Sequence, residues 1–224
     1  MTPIAPNDAH HAFWDRTQLP ALVDGLVARG WYVGERFLGA DLCRELLDEL
    51  QLLQQREILQ EAGIGRGEER TLRRDIRGDA IHWLDRESLA QRRYLALMSE
   101  LQQQINVALY AGLFEFEAHF AHYPPGAFYR KHYDSFRGRA NRIISTVLYL
   151  NPDWPADGGG EMALYDEHDP EHEVARVHPE AGTFACFLSD RVPHEVLPTR
   201  QPRVSIAGWF RRNASLGGVI DPAR

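Results

Sequence analysis

With 224 residues, 44% of them hydrophobic, the chain is long enough to bury a substantial core as one domain, and its formal charge of -7 disfavours nonspecific nucleic-acid binding, which draws on excess Lys and Arg. No window approaches the roughly 18 uncharged apolar residues of a membrane span. The opening MTPIAPNDAHHAFW lacks the cationic start and apolar core of a signal peptide, so the expected setting is cytoplasmic. Only Cys43 and Cys186 are present, without a Cys-x-x-Cys, which excludes a disulfide framework and a zinc finger. Residues 1–18 mix Pro, Asn, Asp and His without a period and read as a flexible tail. Pro20 and Gly30 bracket ALVDGLVAR as a short helix, and WYVGERFL reads as a strand. A long amphipathic helix follows through Leu42, Leu46, Leu47, Leu50, Leu53 and Ile58, predicted to stop at Gly63. GIGRGEERTLRRD is Gly-rich and charged, hence a loop, and DIRGDAIHWL resumes a strand-like alternation. SLAQRRYLALMSELQQQINVALY is a second long helix whose apolar positions pack on a sheet.

From Glu117 the pattern changes to short aromatic and β-branched runs divided by turn residues: FEAHFAHY, AFYRKHYD, RIISTVLYL, EMALYD, HEVARVH, GTFACFL, HEVLP and RVSIAGWFRR. Runs of that length and spacing predict an antiparallel jelly roll. The expected layout is one domain over 19–211, with helical support over 19–116, a strand core over 117–211 and a loose tail over 212–224. GGG within PDWPADGGGE is no phosphate loop, since no Lys-Ser/Thr pair or helix follows, and is expected to let the chain turn beside a binding site.

His132, Asp134 and His194, followed by Arg203, carry the chemistry. His132-x-Asp134 on a strand would put both side chains on one face, with His194 brought beside them from a distant strand. The dyad alone is weak, because 10 histidines make a chance His-x-Asp ordinary. Its strand setting strengthens it, since two imidazoles and one carboxylate form the 2-His-1-carboxylate set of non-haem Fe(II) oxygenases, which leaves coordination positions open. Arg203 would then hold the far carboxylate of a 2-oxo acid in a bidentate pair worth roughly 1.5 to 3 kcal/mol. The arginines between Arg66 and Arg77 read either as a solvated loop or as a substrate-facing one.

The ordered motifs RGDAIHWLD, HYPPGAFYRKHYDSF, TVLYLNPDWPADGGGE and FLSDRVPHEVLPTRQPRVSIAGWF resemble the 2-oxoglutarate- and Fe(II)-dependent prolyl hydroxylases of the EGL-nine, oxygen-sensing type, in particular their compact bacterial members. The resemblance spans residues 20–211 and is strongest over 119–211. It implies an α+β fold, a double-stranded β-helix or distorted jelly roll supported by the N-terminal helices, with Fe(II), 2-oxoglutarate and dioxygen as cofactor and co-substrates and ascorbate as a possible stimulant. It further implies His132, Asp134 and His194 as iron ligands, Arg203 and Tyr149 on the distal carboxylate of 2-oxoglutarate, Tyr123 lining that pocket and Trp209 walling the iron site. Arg74, Arg77 and Asp79 would belong to the substrate-covering loop, although an ion pair bracing the loop is the plainer reading of Arg77 and Asp79. The activity implied is C4 hydroxylation of a prolyl residue in a protein, elongation factor Tu being the expected substrate, with no nucleic-acid or membrane partner. The rival readings are a small-molecule or free amino acid hydroxylase, a nucleobase demethylase and a non-catalytic jelly-roll binding protein.

Overall fold

The computed structural model describes residues 14–63, 73, 75–135 and 141–212. Three α-helices lie in the first half: α1 (Leu19–Ala28), α2 (Ala40–Gln55) and α3 (Leu89–Leu109). Pro20 sits in the first turn of α1, where its missing N–H costs nothing, and Gly30 follows the helix at a φ of 79° and turns the chain into β1 (Trp31–Gly34). Ser88 caps α3 by accepting from the Gln91 N–H at 3.0 Å, and Tyr94, Leu97, Met98, Leu101 and Ile105 face inward.

The second helix ends eight residues before the predicted stop at Gly63. Its buried stripe runs through Leu42, Leu46 and Leu50, and the next position on that face after Leu53 is Glu57, so a further turn would bury no apolar surface. Glu57 adopts a φ of 55°, and the chain then forms β2 (Gln60–Glu61), which pairs with β3 (Ala80–Trp83). The amino-terminal tail is also shorter than expected. Trp14 is buried, packs its ring 5.2 Å from Phe37 and bridges Leu38, and Arg16–Gln18 form a 3-10 turn. Residues 1–13 and 213–224 of the two expected tails lie outside the described residues.

The remaining strands match the alternating runs: β4 (Glu115–Tyr123), β5 (Tyr129–His132), β6 (Arg142–Tyr149), β7 (Met162–Tyr165), β8 (Glu173–Val177), β9 (Phe184–Leu188), β10 (His194–Val196) and β11 (Arg203–Arg211). They form a seven-stranded sheet, ordered β1-β9-β6-β11-β4-β3-β2, and a four-stranded sheet, ordered β5-β10-β7-β8, with antiparallel pairing between the strands of both. This is the expected double-stranded β-helix. The two-residue period divides each strand of the larger sheet: Ala118 and Phe120 of β4 with Val204, Ile206 and Phe210 of β11 join the core beneath the helices. Glu117, His119, Tyr123, Arg203, Ser205 and Trp209 therefore lie on the other face, inside the roll.

That core depends on the helices. Leu46 of α2 is fully buried within it, and Leu46→Ala is expected to cost about 2–5 kcal/mol through lost transfer energy and a residual cavity. Urea denaturation should show this as a lower midpoint at an unchanged slope. Among the described residues no helix is long and apolar enough to cross a membrane.

Candidate metal centre and its cationic pocket

One ligand atom each from His132, Asp134 and His194 lies within 4.8 Å of the others, which makes the three a group able to hold a metal ion. The fold assembles them from the smaller sheet, where β10 pairs with β5 so that His194 stands directly opposite His132. Asp134 departs from the sequence expectation, since β5 ends at His132 and the aspartate sits in the bend beyond it. That bend is fixed by the Ser135 N–H, which donates to the Ser189 carbonyl at 3.1 Å.

The atoms around the triad leave little freedom. His132 Nδ1 lies 2.7 Å from the Arg130 carbonyl and His194 Nδ1 3.2 Å from that of Val192. A carbonyl can only accept, so each Nδ1 carries the proton and each Nε2 is a bare lone pair, as a metal ligand requires. These Nε2 atoms stand 3.5 and 3.6 Å from the two oxygens of Asp134. Ser145 donates to Asp134 Oδ2 at 2.6 Å and lies 2.8 Å from the Ser189 hydroxyl. Burial opposes ionisation of Asp134, yet His194, His132 and Arg142 prevail and hold its carboxyl well below the usual carboxylate range. Burial pushes His194 down to about 4, with the neighbouring His132 acting in the same direction, so its imidazole is neutral at physiological pH. Two imidazole nitrogens and a carboxylate oxygen meet the donor set of a non-haem iron site.

On the larger sheet Arg203 is almost fully buried, 1% exposed, and no acidic side chain among the described residues pairs with it. Its Nε donates to the Gly160 carbonyl at 2.8 Å and its Nη1 to Ser205 Oγ at 3.3 Å. Tyr123 and Tyr149 flank it, their ring centroids 4.8 and 5.0 Å from the guanidinium carbon. Among the described residues the buried Tyr149 hydroxyl has no partner at good hydrogen-bond geometry, Arg203 being the polar group beside it. A buried cation left without an anion is costly, and the requirement it creates is for an anionic ligand with acceptor oxygens. The Gly-rich turn belongs to this pocket: Gly160 has a φ of 70°, and a Cβ there would come within 3.0 Å of Arg203 Cδ and of Thr199.

Trp209 shares the inward face with Arg203, and its buried indole N–H has no partner among the described residues. It stands opposite Ser145, the residue that holds Asp134, and Arg142 lies 3.6 Å over its ring while pairing with Glu117 at 2.8 Å. Arg77 and Asp79 form the bracing pair, with contacts of 2.5 and 2.8 Å. Arg77 also covers the Tyr129 ring at 4.8 Å, and that ring stacks on His132 at 3.7 Å. Arg74 lies outside the described residues. Ser145, Trp83, Arg142 and His119 also border the site and stand outside the candidates that the motifs offer. Ser145 carried a signal, a polar residue four before Tyr149 in RIISTVLYL and so on its face.

Residues 118–211 match the 2OG-Fe(II) oxygenase superfamily. The fold is similar to that of a Pseudomonas putida prolyl-4-hydroxylase, 44% identical, with a TM-score of 0.80 over 87% of this chain and 100% of that one. It is also similar to a Trichoplax adhaerens prolyl hydroxylase solved with a hypoxia inducible factor peptide fragment, 28% identical, with a TM-score of 0.77 over 87% of this chain and 89% of that one. Human Egl nine homolog 1 is 28% identical over 200 residues, which are 86% of this chain and 46% of that protein. The chain spans between 26% and 58% of the length of the first curated relatives it matches. The chain belongs to the prolyl hydroxylases of the 2OG-Fe(II) oxygenase superfamily.

Proposed function

We propose that this chain is a cytoplasmic 2-oxoglutarate- and Fe(II)-dependent dioxygenase that hydroxylates C4 of a prolyl residue in a protein, with elongation factor Tu as substrate. The observation that carries the reading is a buried arginine that no carboxylate among the described residues pairs with, in the same roll as a 2-His-1-carboxylate set. His132, Asp134 and His194 hold Fe(II), and Arg203 with the Tyr149 hydroxyl receives the distal carboxylate of 2-oxoglutarate. Tyr123 lines that pocket and Trp209 walls the side next to the iron. Iron held by these three residues would supply the dioxygen activation that couples conversion of 2-oxoglutarate to succinate and carbon dioxide with hydroxylation of the substrate C–H. Ascorbate stimulates turnover by keeping the iron reduced. The protein's own contribution is positioning: Arg203 fixes the co-substrate's orientation, and the pocket walls decide which C–H lies nearest the metal. Arg77 and Asp79 brace the chain where it enters β3, on the substrate side of the site beside Tyr129.

Ser145 orients Asp134, so Ser145→Ala is expected to weaken Fe(II) affinity by about 10- to 100-fold while leaving the fold intact. Metal titration followed by succinate formation checks this. Elongation factor Tu incubated with the protein, Fe(II), 2-oxoglutarate and air should gain one oxygen on a prolyl residue by mass spectrometry, and none with Asp134→Ala. Succinate formation without that gain would discard the substrate. Stimulation by free amino acids and not by peptides would point to a small-molecule hydroxylase.

A further inference from the structure

His119 is 1% exposed and lies inside the roll on β4, opposite the small side chain of Ala207 on β11. Two indoles flank it: Trp83 meets the imidazole edge-on at 5.1 Å and Trp209 lies 5.5 Å away. Its Nδ1 is 3.0 Å from the Phe120 carbonyl, so Nδ1 carries the proton and Nε2 is left as a bare acceptor. Nε2 has no partner among the described residues. Burial pushes the group down to about 4, with Arg77 and Arg142 acting in the same direction, so Nε2 stays an acceptor at neutral pH. Nε2 is not among the fully buried unpartnered atoms, so water can reach it, and a ligand that displaces this water must bring a donor in its place. 2-Oxoglutarate is anionic and carries only acceptors. A prolyl ring within a chain brings no N–H of its own, so the donors that a substrate of any side-chain composition supplies are the backbone N–H groups of the residues beside it.

We propose that Nε2 of His119 accepts a hydrogen bond from a backbone N–H of the substrate segment next to the target proline, which makes His119 a specificity-determining residue. The inference rests on the prolyl reading above. It is tested by steady-state kinetics of wild type, His119→Met and His119→Gln on elongation factor Tu and on a library of proline-centred peptides, with melting temperature as a check on folding. His119→Met keeps the bulk and removes the acceptor, whereas the amide oxygen of His119→Gln restores one. The expected result is a KM for the prolyl substrate raised at least about tenfold in His119→Met and largely recovered in His119→Gln, with the KM for 2-oxoglutarate moving less than about twofold. A folded His119→Met with the wild-type substrate KM, or with both KM values rising together, overturns the inference alone. Wild type that consumes 2-oxoglutarate but hydroxylates no prolyl substrate overturns the prolyl reading and the inference with it.

Discussion

Asp134→Ala is expected to abolish conversion of 2-oxoglutarate to succinate, with a loss well beyond the ~10- to 100-fold that removal of an outer hydrogen-bond partner costs a metal site. Asp134 is the only anion of the three donors, and both imidazoles stand within 3.6 Å of its oxygens. Its removal takes away the charge that offsets Fe(II) and leaves Ser145 without its acceptor. Metal binding by equilibrium dialysis and succinate release should fall together, while the melting temperature of the metal-free protein changes little, because Asp134 lies in a bend outside the strand ladders. Retained turnover would break the triad assignment.

The next largest effect is expected at Arg203. Arg203→Lys should raise the KM for 2-oxoglutarate by about 10- to 100-fold, the factor corresponding to the roughly 1.5 to 3 kcal/mol of a charge-assisted pair. The guanidinium uses Nε on the Gly160 carbonyl and Nη1 on Ser205 and stays planar between Tyr123 and Tyr149, so one side chain anchors itself and still has donors for a ligand. A lysine ammonium is a point charge on a flexible stem and cannot do both. Titration of 2-oxoglutarate at saturating Fe(II) measures the change, and an unaltered KM would remove Arg203 from the co-substrate pocket.

Much of this is legible in the chain because the two-residue period holds along β4 and along β11 up to Phe210. Arg203 and Trp209 share a parity, and the structure puts both on the inward face, whereas Val204, Ile206 and Phe210 pack under the helices. The meeting of His194 with His132 rests on a long-range pairing that spacing alone leaves open, and the motifs in register supplied it. Other features could not be read so directly. Ile58 continues the apolar spacing of Leu42, Leu46 and Leu50 in the sequence, but it is exposed and lies off the stripe, and pairing of Gln60 with Ile81 claims the following residues for the sheet. Asp134 was placed on a strand because the dyad spacing fits one, while the backbone in fact turns there. His119 read as one more histidine in FEAHFAHY. Its free nitrogen emerges only when β3 and β11 set Trp83 and Trp209 around it. The role of Arg142 is likewise tertiary, since its partners Glu117 and Trp209 come from two other strands.

The most direct test of the dioxygenase reading is turnover under heavy-isotope dioxygen with Fe(II), 2-oxoglutarate and elongation factor Tu, followed by mass spectrometry of succinate and of the substrate's prolyl peptides. The account predicts one heavy oxygen in succinate and one in a hydroxyprolyl residue, both lost in Asp134→Ala. A prolyl hydroxyl carrying only solvent oxygen, or heavy oxygen in neither product, would contradict it.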